Sequence, residues 1–244
     1  MKQFIILQIF IISFSSCHNL DSQTNSSESN QNYSFQNFEL KVGDLLFQDS
    51  DCGPFCEAIE KVTFGKNGAK FSHVGLVVRN DSTGNLVVLE AISEGVVETN
   101  LETFFNRSFD VQNQPKVVVG RLKPQFIHLN KTAIFEAKKL IDKPYDEVFD
   151  INNDAYYCSE LIYFAFKKAN NDQPIFQLKP MTYNDPNTGK TFEIWVDYFK
   201  DLGQKIPEGE PGLNPGGISR NIYLDIVHKY GKPTGWRMNA DKLN

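Results

Sequence analysis

Apolar side chains recur at helical spacing in the segment that begins at Cys158. The apolar positions are Cys158, Leu161, Ile162, Ala165, Phe166 and Ala169. Steps of three and four residues place them on one face of a helix. The pattern therefore predicts a helix that carries Cys158 on the inward face of its first turn. Ser159 and Glu160 fall on the opposite, polar side, and Asn153 or Asp154 is a candidate cap.

A second pattern, far upstream, predicts an antiparallel hairpin. Two runs rich in β-branched residues, 70–78 and 86–91, flank a polar turn with Asn, Asp and Gly. Folding about residues 81–82 would place His73 opposite residue 90 or 91, with Glu90 beside or diagonal to the imidazole. This pairing depends on register, because a slip of one residue would turn Glu90 to the other face.

The rest of the chain contains further short strands and helices. Strands are predicted over 41–47, 95–99 and 116–122, and helices over 51–61, 101–105, 130–143, 192–199 and 222–230. Asn130 is the candidate cap of its helix, and Pro144 is expected to end it. Strands and helices are segregated rather than strictly alternating. The predicted class is therefore α+β, with an antiparallel sheet packed against helices.

The N-terminal segment predicts export. Residues 1–17 combine Lys2, an apolar run from Phe4 to Phe14 and small residues before Cys17, which is typical of a signal peptide. The run is too short to span a bilayer stably. Small residues before a cysteine resemble a bacterial lipoprotein box, so we expect lipidation of Cys17; the alternative is an ordinary cleaved signal. Residues 18–37, rich in Ser, Asn and Gln, predict a flexible tether, and 38–244 a single domain.

Charge and composition exclude some classes of partner. The 244 residues carry a net charge of −5 with scattered Lys and Arg, so no nucleic-acid partner is expected. Contact with a membrane is expected only through the N-terminal lipid anchor, which would place the protein in a bacterial cell envelope. No cofactor is predicted.

The cysteines are few, and an exported protein can form disulfides. Cys52 and Cys56 are close enough to pair, which would leave Cys158 free; the alternative is two reduced, buried thiols. A metal site is not predicted, since no Cys or His follows at ligand spacing.

The candidate chemistry combines Cys158, His73 and Glu90. A thiol at a helix start feels the positive end of the helix dipole, which favours the nucleophilic thiolate. With an imidazole and a carboxylate it makes a nucleophile, a base and an orienting group. The alternative is a cysteine that only packs in the core. His128 and His228 are rival bases, and both are expected at the surface or at helix ends.

Six short pieces of this sequence, in the same order, resemble the circularly permuted NlpC-like papain-fold cysteine hydrolases of the YiiX/YebB-like branch. The pieces are residues 43–47, 71–75, 89–91, 120–122, 143–146 and 157–161. The imidazole precedes the thiol along the chain, which is the order of the permuted branch rather than of ordinary papain-like enzymes.

The resemblance implies a permuted papain-like fold and a role for each matching residue. It makes Cys158 the nucleophile, His73 the base and then the acid, and Glu90 the residue that orients the imidazole. Tyr145 and Tyr157 fall in matching pieces and are expected to bind substrate. The backbone N–H of Cys158 is a candidate oxyanion donor.

These features predict an exported thiol hydrolase that cleaves an amide bond, in cell-wall peptides of peptidoglycan, through a thioester intermediate. Three alternatives stay open. One is a lipid or acyl-ester hydrolase or an acyltransferase that acts on an acylated small substrate with the same residues. The second is a non-catalytic binding module of the envelope, and the third is a purely structural secreted domain with all of its cysteines in disulfides.

Overall fold

The structure of the protein is a computed structural model that describes residues 38–237. The predicted signal peptide, Cys17 and the whole predicted tether, residues 18–37, lie outside the described residues, as do residues 238–244. No helix of the described part is long and apolar enough to cross a membrane.

The fold is built on a six-stranded sheet in the order β4-β3-β2-β1-β5-β8, and every neighbouring pair is antiparallel. Its strands are β1 Leu45–Gln48, β2 His73–Arg79, β3 Leu86–Ile92, β4 Gly95–Asn100, β5 Val117–Leu122 and β8 Leu224–Lys229. Two short strands, β6 Lys179–Pro180 and β7 Pro211–Gly212, pair separately.

Six α-helices accompany the sheet in the described residues. They are α1 Pro54–Val62, α2 Leu101–Phe105, α3 Asn130–Lys138, α4 Cys158–Ala169, α5 Glu193–Asp201 and α6 Pro215–Ser219. Short 3-10 helices cover Lys66–Gly68 and Pro124–Leu129. This confirms the α+β class and the antiparallel sheet packed against helices.

Strand alternation divides the core between the two faces of the sheet. Val118 packs in the cluster formed with helices α3 and α4, whereas Val117 and Val119 pack on the other face. On that second face Phe104 and Phe105 of α2 cover the sheet. The position of α4 matters for function, because Cys158 is its first residue.

The hairpin of β2 and β3 has a fixed register. Leu76 lies opposite Leu89, and Arg79 lies opposite Leu86. Continuing this pairing places Gly75 opposite Glu90, so His73 is diagonal to the carboxylate rather than directly opposite. A Cβ on Gly75 would lie 2.3 Å from the Val88 Cγ1 atom, so only glycine fits beside this pair of strands without a shift.

The segment 222–230, predicted to be a helix, is instead strand β8, which pairs with β5 at the edge of the sheet. Alternation within Leu224–Lys229 is weak in the sequence, and the strand forms because β5 offers it an unpaired edge. Consequently His228 lies on a strand and stacks against Phe38, with 4.2 Å between ring centroids.

Helix α3 ends at Lys138, five residues before the predicted end. The chain leaves the helix through turns, and Asp142 adopts a φ of 70°. Asn130 does not cap the helix. Its side chain packs over Gly43, where a Cβ would lie 2.0 Å from the Asn130 amide nitrogen.

Candidate active site

Cys158 is the first residue of helix α4, as predicted, and its side chain is buried. The Glu160 carboxylate accepts the backbone N–H of Tyr157 at 3.2 Å and so closes the first turn. The predicted caps are wrong: Asn153 holds the preceding loop together through Asp146, and Asp154 pairs with Lys143.

Ser159 and Glu160 are fully buried, although the helical pattern placed them on a polar face. Asp146 and Asp150, in the loop between α3 and α4, are close enough for their charges to raise the pKa of the Glu160 carboxyl.

His73 is the first residue of β2, and its ring joins the thiol to a carboxylate. Its Nε2 atom lies 2.6 Å from the Glu90 Oε2 atom. The same ring is hydrogen-bonded to the Cys158 thiol, and the backbone N–H of Val74 also points to the sulfur. Because Nε2 is engaged by Glu90, Nδ1 is the ring nitrogen left for the sulfur.

Arg107 completes the cluster and was missed from sequence. It donates to both oxygens of Glu90, at 2.7 Å and 2.6 Å, in the bidentate geometry that favours Arg–carboxylate pairing. Its guanidinium also lies 5.2 Å from the centroid of the Phe104 ring. A buried glutamate within an apolar strand requires a cationic partner. The position of Glu90 in the sequence does not indicate which Lys or Arg provides that charge.

The electrostatics of the cluster favour a charged thiolate and imidazolium. Burial lowers the pKa of His73, but the hydrogen bonds and charges of Cys158 and Glu90 outweigh it and raise that pKa to about 9. Burial raises the pKa of Cys158, and the contact with His73 reverses this and lowers it overall. Burial likewise raises the pKa of Glu90, but His73 and Arg107 bring it down to about 2.

A groove of about 700 Å³, counting the part open to solvent, adjoins Cys158. Tyr145 and Tyr157, the predicted substrate-binding residues, both line it. The Tyr157 hydroxyl accepts the backbone N–H of Leu213 at 3.0 Å, which ties the start of α4 to the segment that forms the opposite wall. Residues of 207–217, notably Leu213 and Asn214, belong to that wall.

The other cysteines and histidines stand apart from this cluster. Cys52 and Cys56 form a disulfide at the start of α1, which confirms the predicted pairing and leaves Cys158 as the free cysteine of the described residues. His128 is exposed in a 3-10 helix. In residues 38–237 no group of three or more His, Cys, Asp or Glu side chains is arranged to hold a metal ion.

A thiol at a helix start, paired with an imidazole that a carboxylate holds, is the arrangement of papain-like thiol hydrolases. Here it is built on an antiparallel sheet in which the imidazole strand precedes the thiol helix, so the class is that of permuted papain-like enzymes.

The sequence profile of the permuted papain-like amidases, the YaeF/YiiX or C92 family, matches residues 39–226, and the chain belongs to this family. It is therefore a cysteine hydrolase that acts on amide bonds. None of the curated proteins compared with the chain matches it significantly.

The crystal structure of the metalloprotein YiiX from Escherichia coli O157:H7 has a similar fold. The TM-score is 0.63 at 22% sequence identity, and the match covers 80% of this chain and 99% of that one. Identity at this level supports a shared fold.

Proposed function

We propose that this protein is an exported amidase in which Cys158 is the nucleophile, His73 the base and then the acid, and Glu90 the group that orients the imidazole. The observation that carries the proposal is the unbroken series of contacts from the Cys158 thiol through His73 to Glu90 and Arg107. Each member stabilises the charge of the next, so the thiolate is available without an external base.

In the first half-reaction the Cys158 thiolate attacks the carbonyl carbon of the amide, and a tetrahedral oxyanion forms. The backbone N–H of Cys158, at the start of α4, has no partner within the helix and is suited to donate to that oxyanion. When the C–N bond breaks, the protonated His73 gives its Nδ1 proton to the departing amine, and the acyl group stays on sulfur as a thioester.

In the second half-reaction His73, now neutral, takes a proton from water, and the oxygen of that water attacks the thioester carbonyl. The C–S bond breaks, the carboxylic acid leaves and the thiolate–imidazolium pair is restored. Glu90 keeps Nε2 protonated throughout, so Nδ1 is the atom that exchanges protons. One amide and one water are consumed, and one acid and one amine are produced.

Thiol reactivity tests the assignment of Cys158. Brief treatment of the full chain with iodoacetamide at pH 6 should alkylate Cys158 in the wild type, because its pKa is lowered. Peptide mapping separates this label from one on any other cysteine. His73→Ala should slow the alkylation at least tenfold, whereas Ala in place of exposed His128 should not. Equal rates in the wild type and His73→Ala would contradict the proposed activation.

Export and anchoring through Cys17 are part of the proposal. They are supported by the signal-like residues 1–17 and by the Cys52–Cys56 disulfide, which suits an oxidising compartment. In a bacterial host the wild-type chain should fractionate with membranes, and Cys17→Ala should move it to the soluble exported fraction. Recovery of both chains in the cytoplasm would overturn this part of the proposal.

The predicted cell-wall peptide source of the amide stays a prediction, as does the acyl-ester alternative. Membership of an amidase family favours an enzyme over the non-catalytic binding module. Because the groove adjoins Cys158, we expect its lining residues to contact the substrate.

A further inference from the structure

Three segments that are distant in the sequence carry basic side chains and no acidic ones. Together they contain six Lys or Arg residues and no Asp or Glu: residues 61–70, 215–224 and 232–237. The whole chain, by contrast, has 30 acidic and 25 basic residues. The fold brings the segments together, since the Lys66 backbone N–H donates to the Ser219 Oγ atom at 3.0 Å and the Arg237 backbone N–H donates to the Asn67 carbonyl at 2.8 Å. The result is a local positive charge on an acidic protein.

Three of these cations have no acidic partner. Lys66, Arg220 and Arg237 are exposed, and none of them forms a salt bridge within residues 38–237. Elsewhere on the surface, Lys139 and Lys168 each pair with a carboxylate. Exposed cations without a counter-charge attract an anionic partner.

Two large apolar side chains are exposed in the same segments. Phe64 is 59% exposed and Ile222 is 71% exposed. The Arg220 guanidinium lies 4.4 Å from the centroid of the Phe64 ring, and Ile222 follows Arg220 by two residues. We call this set of side chains the cationic patch: Phe64, Lys66, Arg220, Ile222 and Arg237.

The apolar members of the cationic patch indicate which kind of anionic partner it fits. A soluble polyanion has no apolar interior that could receive Phe64 and Ile222. A bilayer does, because apolar side chains enter the boundary between headgroups and acyl chains while Lys and Arg stay near the anionic headgroups. The combination of free cations with exposed apolar groups therefore favours a membrane surface.

The loop that carries Phe64 and Lys66 is held in place before any partner binds. Phe64 pairs with Lys70 in a β-bridge, and the Gly65 backbone N–H donates to the Ala69 carbonyl. A loop that is already ordered loses little conformational entropy on binding. The cationic patch is thus a preformed surface.

The cationic patch lies next to the active-site groove. Thr63, which lines the groove, directly precedes Phe64, and Pro215, which also lines it, begins the helix α6 that ends just before Arg220. A Cβ on Gly216 would lie 2.3 Å from the Thr63 carbonyl oxygen, so the two segments are in close contact. A surface bound to the cationic patch would therefore fix the orientation of the groove relative to that surface.

The length of chain before the domain makes such an orienting contact useful. Twenty residues separate Cys17 from Phe38, the first described residue. An extended chain of this length spans at most about 70 Å. An anchor at Cys17 would keep the domain near a bilayer without determining which side of the domain faces it.

We infer that the cationic patch docks the domain on an anionic membrane surface. Phe64 and Ile222 enter the interface below the headgroups, and the three cations lie against the lipid phosphates. The role of the tether rests on the proposed anchoring at Cys17, whereas the charge and exposure of the cationic patch do not. Docking holds the active-site groove beside the membrane.

Vesicle co-sedimentation tests the inference on the full chain carrying Cys17→Ala, which has no thiol to acylate at that position. Vesicles of equal parts of phosphatidylcholine and phosphatidylglycerol should bind this parent chain. Vesicles of phosphatidylcholine alone should bind it at least tenfold more weakly, because they present no net negative charge to the three cations. Added NaCl should weaken binding to the anionic vesicles, since salt screens exposed charges.

Variants of the cationic patch should weaken this binding. Lys66→Gln and Arg220→Gln each remove one cation and should each lower the affinity for anionic vesicles about fivefold. Phe64→Ser and Ile222→Ser each remove an apolar side chain and should also lower it about fivefold or more. Urea unfolding of each variant checks that the fold is retained.

The chain offers a matched control on helix α3 and just after it. Phe135 is 61% exposed, and the Lys139 ammonium lies 4.3 Å from the centroid of its ring, but Lys139 is paired with Glu136. Phe135→Ser and Lys139→Gln should therefore bind anionic vesicles as the parent chain does.

Three results would overturn the inference. One is equal binding of anionic vesicles by the parent chain and by every variant of the cationic patch. Another is weaker binding in Lys66→Gln and Arg220→Gln with full binding in Phe64→Ser and Ile222→Ser, which indicates a surface for a soluble polyanion. The third is self-association that Phe64→Ser abolishes, without vesicle binding, which assigns the cationic patch to a second copy of the chain.

These failures are separate from a failure of the proposed function. Cys158→Ala should bind vesicles as the parent chain does, because Cys158 is buried and outside the cationic patch. Loss of vesicle binding with normal alkylation of Cys158 overturns the docking surface and leaves the amidase proposal standing. Vesicle binding with a thiol that does not depend on His73 leaves the docking surface standing and contradicts the proposed activation.

Discussion

Glu90 is, together with Cys158, one of the two groups that raise the pKa of His73. It is fully buried, and its two oxygens are occupied by His73 and Arg107. Because the Arg107 guanidinium neutralises its charge, the free-energy cost of desolvating Glu90 as a carboxylate is offset. It then fixes the tautomer of the imidazole and stabilises its charged form.

The pH dependence of hydrolysis should show this control. In the proposed mechanism the protonated His73, with a pKa of about 9, is the acid, so kcat/KM should fall as pH rises through about 9. Replacing Glu90 by Gln removes one of the contacts that raise this pKa, so the alkaline limb should move to lower pH and kcat/KM should fall about a hundredfold or more.

The matched control for this experiment is Glu102→Gln, which removes an exposed carboxylate from α2. It should reproduce the wild-type profile. An alkaline limb that stays at the same pH in Glu90→Gln would show that Glu90 does not set the pKa of His73.

At the scale of an element, helix α4 carries an unusual first turn. Glu160 is fully buried there, and burial, followed by the nearby charge of Asp146, raises its pKa to about 9. A protonated Glu160 still accepts the Tyr157 N–H through one oxygen. The carboxyl is thus kept neutral close to the thiolate of Cys158, where a second negative charge would oppose the nucleophile.

This predicts how stability depends on pH. The folded chain keeps the Glu160 proton between pH 4.5 and about 9, whereas the unfolded chain loses it near 4.5, so the unfolding free energy falls as pH rises through this window. Glu160→Gln removes the titration. By urea unfolding it should match the wild type near pH 4.5 and exceed it by roughly 4–5 kcal/mol at pH 8, since each pH unit inside this window corresponds to about 1.4 kcal/mol.

Glu193→Gln is the matched control, since Glu193 is exposed in the first turn of α5. Its stability should follow that of the wild type at every pH. A constant difference between Glu160→Gln and the wild type from pH 4.5 to 8 would exclude a neutral Glu160.

At the scale of the whole molecule, the sequence predicted the parts of the site that depend on local pattern. Helical spacing placed Cys158 at the start of α4, and a polar turn between two β-branched runs brought His73 near Glu90. The close spacing of Cys52 and Cys56 indicated their disulfide. These features depend on neighbours within a few residues or one hairpin, where periodicity carries the information.

The features that the sequence did not predict depend on distant parts of the chain. Strand β8 forms because β5 has a free edge, and Glu160 is buried although the helical pattern placed it on a polar face. Arg107 reaches Glu90 because α2 folds back over the sheet. The spacing of residues along the sequence does not indicate contacts between distant segments, so these features are seen only in the folded structure.

If Cys158 is the nucleophile, acyl transfer passes through its sulfur. Mixing the full chain with excess hexanoyl 4-nitroanilide and quenching in acid within the first turnovers should trap a hexanoyl thioester, measured by mass spectrometry of the digested protein. We expect one acyl adduct, on the peptide that contains Cys158, and none in Cys158→Ala. Steady release of nitroaniline by the wild type and by Cys158→Ala at equal rates, with no adduct on that peptide, would rule out Cys158 as the nucleophile.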